Sequence, residues 1–115
     1  MNYGKYVIAE WNINGFFSTK NSYYTEFKKN VINFLCVDLI IIPEIHCTPD
    51  QKIEIENFTV FQLNRPQNIN ARRGSGGIAI AINNLLLESH EIISVYTHGC
   101  DGQIGIKLKN KFNDL

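Results

Sequence analysis

Apolar and polar residues follow two different periods along this chain, and the changes of period divide it into elements. From Tyr6 to Asn14, β-branched and aromatic residues lead into the alternating Trp11-Asn12-Ile13-Asn14 and break at Gly15, which predicts a strand entering a loop. Asn21 or Ser22 then offers an N-cap for a surface helix of about a dozen residues. Its apolar positions Tyr24, Phe27, Val31, Phe34 and Leu35 share one side, and Glu26, Lys28, Lys29 and Asn30 turn outward. Asp38 opens Leu39-Ile40-Ile41-Ile42, a run too short for a helix and typical of a strand covered on both faces, which Pro43 is expected to stop.

Further on, Pro49 to Glu56 predicts a short helix, and Phe58 to Leu63 alternates as a strand. Asn64 to Ser75 is a polar loop carrying Arg65, Arg72 and Arg73, the one basic cluster of note. Gly76-Gly77 leads into Ile78-Ala79-Ile80-Ala81-Ile82, where large and small residues alternate, and Asn83-Asn84 precedes the apolar run Leu85 to Leu87. Two more strands are predicted at Glu91 to Tyr96 and Gln103 to Lys109, with a turn at Gly99 to Gly102. One main helix among mostly strands points to an α/β fold with a mixed sheet or layered sandwich rather than a repeating doubly wound sheet. Nothing before Leu115 would cover the edge of the last strand, so residues 1–115 are expected to form one incomplete domain.

An apolar fraction of 44% with 19% charged residues excludes global disorder. Eleven basic and eleven acidic side chains cancel, so any phosphate site must be local rather than the product of an overall positive field. Cys36, Cys47 and Cys100 form no Cys-x-x-Cys pair, which fits neither a disulfide framework nor a zinc cluster and suggests free thiols in a reducing compartment. No stretch reaches the ~20 apolar residues of a membrane span, and the expectation is a soluble intracellular protein that makes no membrane contact. The sequon Asn57-Phe58-Thr59 is then a chance match.

Three places offer chemistry. Asn12 and Asn14 alternate to one side at the carboxyl end of the first strand, where a carboxamide gives an oxygen to a hard cation and N–H donors to a phosphate. On composition alone, turn chemistry accounts for them more readily. Glu44 follows the apolar run directly, beside Pro43 and His46, where a carboxylate is costly unless it lies at the sheet rim or meets a cation. A surface Glu that ends a strand is the plainer account, and a lone His such as His46 is most often a loop residue. Arg72-Arg73-Gly74-Ser75-Gly76-Gly77 joins forked guanidinium donors to glycines that permit close backbone approach to a phosphate. It lacks the lysine and the following helix of a nucleotide-binding loop, and a solvated hairpin loop would look the same.

In this order, the three signals resemble the first half of the endonuclease/exonuclease/phosphatase family, in particular the endonuclease domains of non-long-terminal-repeat retrotransposons. Trp11 to Gly15 is similar to the family's Trp-Asn-x-(Asn/Asp)-Gly motif, and Pro43-Glu44-Ile45-His46 to its Gln-Glu-x-His-like motif. The resemblance implies the amino-terminal half of a four-layer α/β sandwich. It further implies that Glu44 binds Mg2+ or Mn2+, that Asn14 lies close to the metal, and that Asn12 supports both metal and phosphate as part of the catalytic set. Arg72 and Arg73 would contact phosphates of DNA, positioning the duplex without reading its sequence. Pro43 departs from the family by replacing a Gln, which removes a side-chain amide and a backbone donor beside the metal ligand. The family's later Gly-Asp-x-Asn and Ser-Asp-His motifs, which handle the nucleophilic water, the leaving group and the scissile phosphate, are absent from the 115 residues. The expected activity is therefore metal-dependent phosphodiester hydrolysis on DNA in a longer parent, with none from this chain alone. The alternatives are a non-catalytic binding fragment and a phosphatase acting on phosphoinositides.

Overall fold

The structure, a computed structural model, describes residues 5–12, 15–16, 37–64, 76–98 and 103–112. Six strands are present among them: β1 (Ile8–Glu10), β2 (Leu39–Pro43), β3 (Phe58–Leu63), β4 (Ile78–Asn83), β5 (His90–His98) and β6 (Gln103–Asn110). The first four form a mixed sheet in the order β1-β2-β4-β3, and β5 and β6 form a separate two-stranded sheet. β1 runs parallel to β2, whereas β4 is antiparallel to both β2 and β3. The described part is thus mostly strand, with two sheets that remain open. The helix expected after Asn21, the turn at Gly99 to Gly102, Cys36 and Cys100 lie outside the described residues.

Alternation along β4 explains how its two faces are filled. Ala79 and Ala81 stand opposite Ile42 and Ile40 of β2 in the register, so small residues meet large ones on one face. That face is sealed by Val37, Ile45, Cys47, Ile53 and Ile55, all buried, from the segments flanking β2. On the other face Ile80, Ile82 and Leu86 pack against Leu39 and Phe61, with Ile92, Ile104, Ile106 and Leu108 of the β5–β6 hairpin closing over them. The hairpin absorbs an irregularity between Ile92 and Ser94, where one extra residue, Ile93, shifts the register and leaves its side chain half exposed.

Several boundaries differ from the sequence expectation. The first strand shrinks to three residues, although Trp11 N–H still donates to Ile41 O at 3.0 Å beyond its end. Pro43 belongs to β2 instead of stopping it, since it stands opposite Ile78 at the strand's last pair, where a proline is tolerated more easily than inside a strand. The stretch from Pro49 to Glu56 is not helical; it turns at 49–50 and then extends, with Ile53 and Ile55 buried and Lys52 and Glu54 exposed. Gln62 fixes it there, accepting from Ile53 N–H at 2.7 Å and donating to Gln51 O at 2.8 Å. The alternating burial at 52–55 has the period of a strand, without ladder pairing. The run Leu85 to Leu87 becomes a 3₁₀ helix at Leu86–Glu88, β5 extends beyond both expected ends, and β6 begins at Gln103 as expected and runs on to Asn110. Ile40 and Ile42 are fully buried while Leu39 and Ile41 are only half-buried, so β2 is covered unequally rather than completely on both faces.

Cys47, 1% exposed in the first core cluster, carries a free thiol that burial pushes up from an ordinary 9.0 to about 11, a hydrogen bond with the Gln62 side chain offsetting part of the rise. Because the folded pKa exceeds the unfolded one, the fold favours the protonated thiol. Its contribution to stability is complete below pH 9.0 and is lost as pH rises through about 11. The stability difference between the wild type and Cys47→Ala should therefore shrink by roughly 2 kcal/mol over that window. Urea unfolding at a series of alkaline pH values measures it, and a difference that stays constant contradicts the assignment.

Candidate metal and phosphate site

Strand directions bring the chemistry-bearing segments to one rim. Parallel β1 and β2 end side by side, β3 ends at the same level, and antiparallel β4 begins there, so residues after Glu10, after Pro43 and before Ile78 converge. Gly15 and Phe16 lie along the continuation of β2: Gly15 N–H donates to Glu44 O at 2.9 Å and Phe16 N–H to Ile45 O at 3.0 Å. Gly15 is needed at its position because its φ is +96°, a conformation that side chains disfavour. Along this track, Asn12 Nδ2 donates to Glu44 Oε2 at 2.5 Å, and both residues are exposed at the rim.

Glu44 reaches that position through its backbone. Its φ is +53°, and that of His46 is +52°, values uncommon outside glycine and found among other residues mainly at asparagine, aspartate and histidine, so that Glu44 is the less expected of the two. The ladder between β2 and β4 ends with Pro43 opposite Ile78, then resumes with Ile45 N–H to Gly77 O at 3.4 Å and His46 N–H to Gly76 O at 2.8 Å. Glu44 is thus one extra residue set against the lead into β4, the arrangement of a β-bulge, which re-aims a side chain at the end of a strand. Such backbone conformations cost about 1–3 kcal/mol each and persist only where the surroundings impose them. Here the surroundings are the Gly15–Phe16 track on one side and Gly76–Gly77 on the other. Ile45, fully buried between the two left-handed residues, anchors the segment in the core.

Of the residues expected to carry chemistry, Asn12 and Glu44 are brought together, while Asn14, Arg72 and Arg73 lie outside the described residues. Gly76 and Gly77, expected to admit a phosphate, have an internal duty. A Cβ on Gly77 would stand 3.0 Å from Ile45 Cγ1 and 3.1 Å from Leu63 O, so the glycine makes room for the chain itself. His46, ranked low from the sequence, proves to be engaged: its Nδ1 accepts from Gly76 N–H at 2.9 Å. The only sequence signal for this was the separation of a His from a Gly-Gly pair across an apolar strand, which does not single out a contact. Among the described residues no group of three or more His, Cys, Asp or Glu is arranged to hold a metal ion. One carboxylate with a neighbouring carboxamide is still a fitting partial donor set for a hard cation such as Mg2+, which keeps several waters and needs few protein carboxylates.

No protein-family model matches the chain, and no curated protein or solved structure is significantly similar to it. No helix among the described residues is long and apolar enough to cross a membrane.

Proposed function

We propose that this chain carries half of a divalent-cation site for phosphodiester hydrolysis on nucleic acid, with Glu44 as the metal ligand and Asn12 orienting it toward metal and phosphate. The supporting observation is the Asn12–Glu44 hydrogen bond of 2.5 Å at the shared carboxyl ends of two parallel strands. A neutral amide orients the carboxylate without setting an opposite charge beside it, and Glu44 is exposed at the rim. Mg2+ or Mn2+ bound at such a place neutralises charge on a phosphate and on a leaving oxygen. Asn14 would add a ligand, and Arg72 and Arg73 would contact phosphates of DNA. Sequence fact favours a second reading for the isolated chain, that of a binding module without turnover: the 115 residues contain neither Gly-Asp-x-Asn nor Ser-Asp-His. General-base catalysis is worth about 10²–10⁴-fold and an electrostatic clamp a similar factor, so their loss leaves little rate to measure.

The 115-residue chain is expected to bind Mn2+ weakly, with Glu44→Ala weakening that affinity by roughly tenfold or more, and to leave supercoiled DNA intact in Mg2+. Calorimetric titration and a nicking assay read the two outcomes. Mn2+ binding unaffected by Glu44→Ala removes the metal assignment, and Glu44-dependent nicking shows that the missing motifs are dispensable.

A further inference from the structure

We infer that His46 is a positioning residue whose paired hydrogen bonds to Gly76 hold the Glu44 bulge in the conformation that lets the Glu44 carboxylate meet Asn12. The inference rests on the reading of Glu44 as the functional carboxylate, and it assigns the placement of that carboxylate to the residue two positions further along the chain.

His46 and Gly76 are joined in both directions. His46 N–H donates to Gly76 O at 2.8 Å, and Gly76 N–H donates to His46 Nδ1 at 2.9 Å. The second bond satisfies a backbone donor in the lead into β4 that the interrupted ladder would otherwise leave without its strand partner. It is also a bond that only a side chain with an acceptor two bonds beyond Cβ, or at similar reach, can make. Asparagine meets that requirement through its Oδ1 and also tolerates a positive φ, whereas alanine meets neither. Among the described residues Glu44 has no such tie on the β4 side: Ile45 and His46 bond to Gly77 and Gly76, and the Glu44 carbonyl accepts from Gly15. Whatever fixes His46 at φ +52° therefore fixes the exit of the bulge, and the Gly15 bond fixes the other side. Between these two ties the direction in which the Glu44 Cα–Cβ bond leaves the backbone is set, and the Asn12 hydrogen bond then holds the carboxylate at the end of it.

The test compares His46→Ala and His46→Asn in the full chain at one neutral pH, using the backbone amide of Gly76 and the side-chain carboxamide of Asn12 as reporters. His46→Ala should accelerate exchange of the Gly76 amide roughly five- to tenfold, as expected for loss of one hydrogen bond, and move the Asn12 carboxamide resonances toward those of Glu44→Ala. His46→Asn should restore both. A general loss of packing would shift the unfolding midpoint without separating the two variants at Asn12. Unchanged Asn12 resonances in His46→Ala, or equal changes in both variants, overturn the inference. Mn2+ affinity measured in parallel should fall and recover in the same order. If wild type binds no Mn2+, the functional reading fails, and the Gly76 and Asn12 signals alone still decide whether His46 positions Glu44.

Discussion

Replacing Gly77 by alanine is expected to lower stability by about 3 kcal/mol, seen as a reduced urea midpoint at unchanged slope. Two costs combine. At φ +83° an L side chain is disfavoured by roughly 1–2 kcal/mol, and the new methyl would meet Ile45 Cγ1 at 3.0 Å and the Leu63 carbonyl oxygen at 3.1 Å. Ile45 is completely buried and cannot swing away, and Leu63 O is backbone at the end of β3, so relief requires the strands to move. Overpacking of this kind adds about 1–3 kcal/mol. Gly105→Ala is the matched control, because its Cβ would find only Tyr96 Cβ and Cδ1 at 3.9 Å, an ordinary contact on the β5–β6 hairpin. It should change stability by less than about 0.5 kcal/mol. Equal effects of the two substitutions would mean that the close approach at Gly77 does not exist.

The contrast between these glycines shows what the sequence could and could not disclose. Strands with a strong local pattern were legible: Phe58 to Leu63 matches β3 residue for residue, and the alternating run Ile78 to Ile82 falls within β4, although its pairing partners Ile40 and Ile42 could not be read from the pattern. Asn12 and Glu44, two of the candidate positions, meet by a hydrogen bond across two strands, while Asn14, Arg72 and Arg73 lie outside the described residues. Conformations imposed by distant partners were not legible. Nothing local marks Glu44 or His46 for the left-handed region, and the energy that holds them there comes from Gly15 and Gly76, each about 30 residues away along the chain. Gly76-Gly77 illustrates the same limit, because permissive backbone is equally required for a phosphate and for a neighbouring isoleucine, and spacing does not distinguish the two. The stretch Pro49 to Glu56 failed for a different reason: its buried isoleucines alternate as in a strand, but its hydrogen bonds go to the Gln62 side chain instead of a ladder.

Ile42→Ala is expected to cost about 3–4 kcal/mol, toward the upper part of the range for deleting a buried isoleucine. The residue is fully buried, and the position beside it across β4 is Ala79, so the neighbouring strand offers no large side chain to relax into the space. Val37, Ile40, Ile45, Cys47, Ile53, Ile55 and Ala81 form the rest of that cluster, and it has little freedom to collapse, because Gln62 and the Gly76–Gly77 ties pin its covering segments. Ile41→Ala deletes the same atoms one residue away on the opposite face, where the side chain is only half-buried, and should cost about half as much. Against a total stability of order 5–15 kcal/mol for a domain of this size, the first substitution leaves a fold near its threshold and the second does not. Chemical unfolding of both variants measures the difference. If Ile41→Ala costs as much as Ile42→Ala, the two faces of β2 are equally covered, and the expectation of a strand fully buried on both sides replaces the unequal cover. The position also bears on the site, because Ile42 stands two residues before Glu44 on the strand that carries it. A core that loosens there should release the Asn12–Glu44 contact in advance of global unfolding, whereas Ile41→Ala should leave it intact.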